Sequence, residues 1–98
     1  MADQETQEGT GITFTGFVVS LATTAAVHFG DIADPSTGQR AEPNLPAAAQ
    51  MIELIALLQE KTKGNLTEPE EQLVDDLLYE LRMRFVQAEQ GERRIIEP

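Results

Sequence analysis

A long uncharged stretch near the start of the sequence reads Gly9-Thr-Gly-Ile-Thr-Phe-Thr-Gly-Phe-Val-Val-Ser-Leu-Ala-Thr-Thr-Ala-Ala-Val-His-Phe-Gly30. It contains no Asp, Glu, Lys or Arg, in a 98-residue chain whose formal charge is −10. Apolar surface is unfavourable in water, so a membrane, a partner or the chain's own core has to cover it. A helix that is hydrophobic on nearly every side is typical of one buried from several directions.

A membrane or export role is disfavoured by the residues around this stretch. The eight residues before Gly9 include acids and no Lys or Arg, whereas a secretory signal begins with basic residues. A transmembrane helix needs about 20 mostly apolar residues. Thr, Ser and His interrupt this stretch, and no basic cluster marks a cytoplasmic side. We therefore predict a soluble cytoplasmic protein and keep a membrane-associated or lipid-binding helical protein as the alternative.

Size and charge limit the possible partners. A chain of this length buries only about 60 to 65% of its surface, so help from a second subunit is expected. The excess of 17 acidic over 7 basic residues repels phosphate backbones, and the chain lacks Trp for base stacking, which together argue against nucleic-acid binding. The absence of Cys fits a reducing compartment and excludes a disulfide framework.

The sequence predicts an all-α fold of three helices, at about 13–29, 45–63 and 68–89. We expect the second and third helices, which are joined by a short link, to form an antiparallel hairpin on which the apolar first helix packs, with homo-oligomerisation completing the fold. Residues 12–89 form this helical domain. Residues 1–11 are predicted to be a disordered acidic tail, and residues 90–98 a flexible C-terminal tail.

Local signals place the helix ends. Thr13 and Asn44 are suitable N-caps, and Gly30 suits a left-handed terminator. Thr67 followed by Glu70 forms a capping box, in which each side chain satisfies the other residue's free amide. The connector at 31–46 contains three prolines and a predicted turn at Asp34-Pro-Ser-Thr-Gly38.

Apolar spacing predicts which side chains face inward. In the second helix these are Ala48, Ile52, Ile55 and Leu58 or Gln59, with Met51, Leu54 and Leu57 widening the stripe. In the third they are Leu73, Val74, Leu77, Leu78, Leu81 and Phe85.

The sequence offers little catalytic or metal-binding chemistry. His28 is the one histidine, and Asp31 is the nearest carboxylate that could orient it as a base. A structural role near a helix C-terminus is the preferred interpretation of His28. One His and no Cys do not make a transition-metal site. We therefore predict no enzymatic activity, no catalytic residue, no metal and no cofactor.

Interaction candidates come mainly from the first helix. Gly16, Ser20 and Thr24 recur every four residues, so small side chains form one row on which another helix can approach closely. That row could equally be packed inside one subunit or form a seam between subunits. Arg82 and Arg84 are expected to pair with neighbouring acids, Arg84 with Glu80. The full set of candidates is Phe14, Gly16, Phe17, Ser20, Leu21, Thr24, His28, Arg82 and Arg84.

Several blocks of this sequence taken together resemble a known family. They are the stretch from Phe14 to Gly30, the turn at 34–38, Leu58-Gln-Glu-Lys-Thr-Lys-Gly-Asn-Leu-Thr67 and Leu77-Leu-Tyr-Glu-Leu-Arg-Met-Arg-Phe85. In this order they resemble a bacterial family of small acidic proteins catalogued as domain of unknown function number eighteen-forty-four. The resemblance covers about Phe14 to Val86 and implies a helical, cytoplasmic protein, with no site residues to carry over. Phe29 and Phe85 depart from the Leu and Tyr that the family leads us to expect.

The residues and the resemblance together favour a non-enzymatic, soluble helical oligomer that acts as a protein-interaction module. Its expected partners are further copies of itself, as a dimer or a higher oligomer, and another protein. No nucleic-acid partner is expected.

Overall fold

The computed structural model describes residues 11–96, with side chains as far as Gly91. Within that range it contains three helices and no strand: α1 (Phe14–Phe29), α2 (Leu45–Lys61) and α3 (Glu68–Ile96). The all-α prediction is confirmed. The acidic tail predicted at 1–11 lies, apart from Gly11, outside the described residues, as do positions 97 and 98.

Both ends of α1 are fixed by the residues that the sequence singled out. The Thr13 hydroxyl accepts a hydrogen bond from the Gly16 amide at 2.8 Å. At the other end Gly30 adopts a φ of 83°, which a residue without a Cβ tolerates. The Gly30 amide then donates to the Val27 carbonyl and the Asp31 amide to the Ala26 carbonyl. This double closure is a Schellman motif, and it turns the chain away from α1 at Asp31.

The starts of α2 and α3 also follow their predicted caps. The Asn44 side chain accepts a hydrogen bond from the Ala47 amide at 3.1 Å. At α3 the Thr67 amide donates to the Glu70 carboxylate at 2.8 Å, and the Glu70 amide donates to the Thr67 hydroxyl at 3.2 Å. The capping box is therefore complete, with both amides satisfied.

The end of α3 differs from the prediction. The helix continues to Ile96 instead of ending at about residue 89, so residues 90–96 of the predicted tail are helical. Loss of apolar periodicity suggested the earlier end, but a helix that has formed can extend without burying a face, since each added residue adds a backbone hydrogen bond. Gln, Glu and Arg are good helix formers, and all three occur in this segment of the sequence.

The core lies where the three helices meet. The largest side chains that are completely removed from solvent come one from each helix, namely Val18, Ile55 and Val74. The other buried members of this cluster are Ala25, Phe29, Leu45, Ala48, Ile52 and Leu78. Most of the predicted inward stripes of α2 and α3 is confirmed, since these side chains are buried or pack against the cluster: Ala48, Met51, Ile52, Ile55, Leu58, Val74, Leu77, Leu78, Leu81 and Phe85. Leu73 is half-buried and lies outside the cluster, and Leu54 and Leu57 are exposed at 39% and 49%.

Residue pairings along α2 and α3 show that these helices are antiparallel. Near the end of α2, the Gln59 side chain donates to the Asp75 carboxylate early in α3. Near the start of α2, Ala49 and Ile52 line a groove with Phe85 and Val86 from late α3. The expected hairpin is therefore present, and α1 packs against both of its helices.

None of the described helices combines the length and the apolar character that crossing a membrane requires. At 16 residues, α1 is shorter than the span of about 20 that a bilayer needs.

Candidate interaction surface

The side of α1 turned away from the bundle is exposed and uncharged. Val18, Ala25 and Phe29 point into the core, whereas Phe17 and Val19 are 48% and 41% exposed. We call this side the α1 outer face and define it by Gly16, Phe17, Val19, Ser20, Thr23 and Thr24. The row of small side chains at Gly16, Ser20 and Thr24 lies on this face and is exposed. The row is therefore not packed inside one subunit, and α1 is not covered on all sides by its own chain.

Two of the three hydroxyl groups on the α1 outer face, those of Ser20 and Thr24, are turned back onto the helix. Ser20 Oγ donates to the Phe17 carbonyl at 2.7 Å, and Thr24 Oγ1 donates to the Ser20 carbonyl at 3.0 Å. A hydroxyl bonded in this way has its donor satisfied locally. The face can therefore be covered by another apolar surface without leaving these donors unpaired.

The connector folds over the C-terminal end of the α1 outer face. Its turn is held by Asp34, whose carboxylate accepts from the amide and the hydroxyl of Ser36 at 2.8 and 2.7 Å. The Gly38 amide closes the turn onto the Asp34 carbonyl at 2.7 Å. Val27 is only 8% exposed although it faces away from the core. The result is an open groove of about 470 Å³ lined by Gly16, Val19, Ser20, Thr23, Thr24, Val27, His28, Asp34 and Pro35.

A second polar feature fastens the end of α1 to α3, and we call it the Arg84 clasp: Phe29, Asp31, Arg84 and Phe85. Arg84 donates two hydrogen bonds to the Asp31 carboxylate, from Nε at 2.8 Å and from Nη2 at 2.6 Å. Its guanidinium lies 5.2 Å from the centre of the Phe29 ring. Phe29 in turn meets Phe85 edge to face, with ring centres 6.5 Å apart. Planar pairing and stacking of this kind suit Arg better than Lys.

The clasp corrects the expected pairing of Arg84 with Glu80. Arg84 lies on the side of α3 that faces the end of α1, and the Schellman turn delivers Asp31 to it. A bidentate pair that also covers an aromatic ring is more favourable than a single exposed pair along a helix. Phe29 and Phe85, the two positions at which the resemblance leads us to expect Leu and Tyr, are in contact here.

The clasp also changes the acidity of its members. Hydrogen bonds from Arg84 lower the pKa of Asp31 below 3.8, although partial burial opposes the shift. Asp31 in turn raises the pKa of Arg84. In the connector, hydrogen bonds from Ser36 lower the pKa of Asp34. Both carboxylates are therefore held in their charged form by specific donors.

Replacing Asp31 by Asn is expected to lower the free energy of unfolding at neutral pH by about 0.5–1 kcal/mol, as for a well-oriented exposed ion pair. The side chains of Arg84 and Asp31 are 35% and 38% exposed, so solvent keeps the effect small. Because folding lowers the pKa of Asp31, its stabilisation is complete above 3.8 and disappears as the pH falls through the folded-state pKa. Urea unfolding should show wild type and D31N differing at neutral pH and converging in strong acid.

The matched control for this experiment is Glu80→Gln, which removes the carboxylate that the sequence favoured as the partner of Arg84. It should cost less stability than D31N at neutral pH. A larger cost for E80Q than for D31N would contradict the pairing in the clasp.

His28 lies at the edge of the groove and is half-buried. Asp31, its expected partner, is bound to Arg84 instead. In the described part of the chain the His28 side chain makes no hydrogen bond to a carboxylate, and its effect on Asp34 is a minor electrostatic one. Over residues 11–91 no group of three or more His, Cys, Asp or Glu side chains is placed to hold a metal ion.

The structure separates the predicted interaction residues into four places. Gly16, Ser20, Thr24 and His28 line the groove, with Phe17 beside them. Phe14 and Leu21 are partly buried and pack against the core. Arg82 borders the groove between α2 and α3, and Arg84 belongs to the clasp. The predicted set is therefore not one site, and its first group is the largest continuous part.

Sequence reasoning missed five residues that line the groove. Val19, Thr23 and Val27 lie three residues beyond Gly16, Ser20 and Thr24, so helical spacing could have placed them on the same face. No sequence signal shows that Asp34 and Pro35 fold back over α1, because a turn motif fixes local geometry and not the position of the turn.

Residues 11–87 match the family described as "Domain of unknown function (DUF1844)". No curated protein and no solved structure matches the chain. The matched range contains all of α1 and α2, the connector, most of α3, the whole α1 outer face and the Arg84 clasp. The chain therefore belongs to the DUF1844 family.

Proposed function

We propose that this chain is a non-enzymatic, soluble protein of the bacterial cytoplasm that assembles into a homo-oligomer and acts as a protein-interaction module. The observation that carries the proposal is the α1 outer face. It exposes Phe17 and Val19 at 48% and 41% on a helix without a charged residue. Apolar side chains left exposed on an uncharged helix face are the kind of surface that a partner covers.

The energetics favour covering this face. Burying apolar surface stabilises by about 25 cal/mol per Å². The hydroxyls of Ser20 and Thr24 are already hydrogen-bonded to their own helix, so their donors need no new partner on burial. Small side chains at Gly16, Ser20 and Thr24 let a second surface approach the helix backbone. Apolar burial, satisfied hydroxyl donors and small side chains each favour an interface on this face.

The non-enzymatic part of the proposal rests on how the titratable groups are used. Asp31 is bound by Arg84 and Asp34 by Ser36, both in connections that hold the chain in place. A general base needs a partner that orients it, and neither carboxylate hydrogen-bonds to His28. Asp31 and Asp34 therefore stabilise the end of α1 and the connector turn, and neither of them orients His28 as a base.

Lipid binding is the competing use of the same face. Helices that lie in a membrane surface combine an apolar face with Lys or Arg around it. α1 contains neither, and the whole chain carries a charge of −10, which repels anionic lipid. A protein partner fits the face better.

Multi-angle light scattering of the purified chain is the direct test. We expect a mass that is a multiple of 10.8 kDa at micromolar concentration. Sedimentation with zwitterionic and anionic vesicles is the companion measurement, and the protein is expected to stay unbound. A stable monomer would contradict the homo-oligomer, and a monomer that binds vesicles would favour the lipid alternative.

A further inference from the structure

Resting on the proposed function, we infer that the α1 outer face is covered by the same face of a second copy of this chain. The two α1 helices run antiparallel, and a two-fold axis passes close to Ser20.

The distribution of charge favours a second copy of the chain as the partner that covers the α1 outer face. The chain holds 17 acidic residues, and none lies between Glu8 and Asp31. Contacts through the outer sides of α2 or α3 would bring carboxylates such as Glu53, Asp76 and Glu80 toward those of the other copy. Like charges so placed oppose association. Two such acidic chains can meet through the α1 outer face without this repulsion between carboxylates. A basic partner would instead be attracted to the acidic outer sides of α2 and α3.

Small residues allow the two backbones to come close. Gly16, Ser20 and Thr24 lie one helical turn apart on the exposed side of α1. Packed helices lie about 8–10 Å apart, and small side chains at the contact favour the short end of that range. Ser20 is the middle member of the row, so a two-fold axis at Ser20 brings Gly16 of each copy opposite Thr24 of the other.

The connector favours the antiparallel arrangement. Asp34 and Pro35 line the groove at the C-terminal end of the α1 outer face together with Val27, which is 8% exposed. In a parallel pair the two turns would meet at the same level and hold the helices apart. In an antiparallel pair each turn faces the open start of the partner's α1, near Gly16. Antiparallel helix dipoles also attract each other weakly.

The exposed stripe of α1 is too small to form a stable interface by itself. A 16-residue helix is about 24 Å long, and a stripe about 10 Å wide along it covers only a few hundred Å². A stable interface buries about 800 Å² on each partner. The remaining area has to come from surfaces beside α1, among them the connector turn at Asp34 and Pro35, which lines the same groove.

Single cysteines test the geometry, because the natural sequence has none. Under mild oxidation S20C is expected to form a disulfide-linked dimer of twice the chain mass on a non-reducing gel. At the two-fold axis the two Cα atoms can reach the distance of about 4.4–6.8 Å that a disulfide needs. T24C should stay unlinked, since antiparallel pairing separates its two copies by about 12 Å along the helices. Gln90→Cys, exposed on α3, is the control for random collision.

The outcomes separate this inference from the proposed function. Linking of S20C alone supports the antiparallel pair. Linking of both S20C and T24C would overturn it in favour of a parallel pair. An oligomer by light scattering in which S20C links no better than Gln90→Cys would place the interface elsewhere and leave the homo-oligomer standing. A monomer by light scattering would remove both.

Discussion

Replacing Ile55 by Ala is expected to lower the free energy of unfolding by about 2–5 kcal/mol. Ile55 is completely buried and belongs to the cluster in which α1, α2 and α3 meet. Truncation removes three carbon atoms from that cluster and leaves a cavity that rigid helices fill only in part. Because small domains are stable by only about 5–15 kcal/mol, this one change should remove a large part of the total.

Urea denaturation followed by circular dichroism measures this effect. The protein concentration has to be fixed, since association adds to the apparent stability. Ile32→Ala is the control, because it removes the same atoms from a side chain that is 39% exposed in the connector. We expect it to cost about 1 kcal/mol or less. Equal losses from the two variants would contradict the position of Ile55 in the core.

The sequence predicts the helices well because their ends are marked by local chemistry. Thr13, Asn44 and the Thr67–Glu70 pair each cap the helix that follows within three residues, so the signal and its effect lie together. Apolar spacing identified Ile55 and Val74 for the same reason. The end of α3 was misjudged because apolar spacing reports where a helix is buried, and α3 continues beyond that region.

The candidate site is harder to predict because it depends on contacts between distant residues. Arg84 and Asp31 are 53 positions apart, and the sequence offered the nearer Glu80. The row of Gly16, Ser20 and Thr24 was found from spacing, but spacing alone could not show that the row is exposed. That result depends on which side of α1 faces α2 and α3. The position of the connector over Val27 likewise depends on the assembled bundle.

Replacing Ser20 by Glu is expected to convert the oligomer into a folded monomer. Ser20 is exposed in the single chain, and Glu is at least as good a helix former as Ser, so the bundle should keep its stability. At the proposed two-fold axis, two carboxylates about 6 Å apart repel by about 3 kcal/mol at an effective dielectric constant of about 20. That energy alone weakens association about 100-fold, and the cost of removing both charges from water adds to it.

Light scattering over a dilution series, with circular dichroism on the same samples, distinguishes dissociation from unfolding. Gln90→Glu adds the same charge to an exposed position on α3 and should leave the mass unchanged. If both variants dissociate, net charge rather than the α1 outer face controls assembly. If S20E keeps the mass of the wild type, the interface does not include Ser20, because two uncompensated carboxylates could not remain buried against each other there.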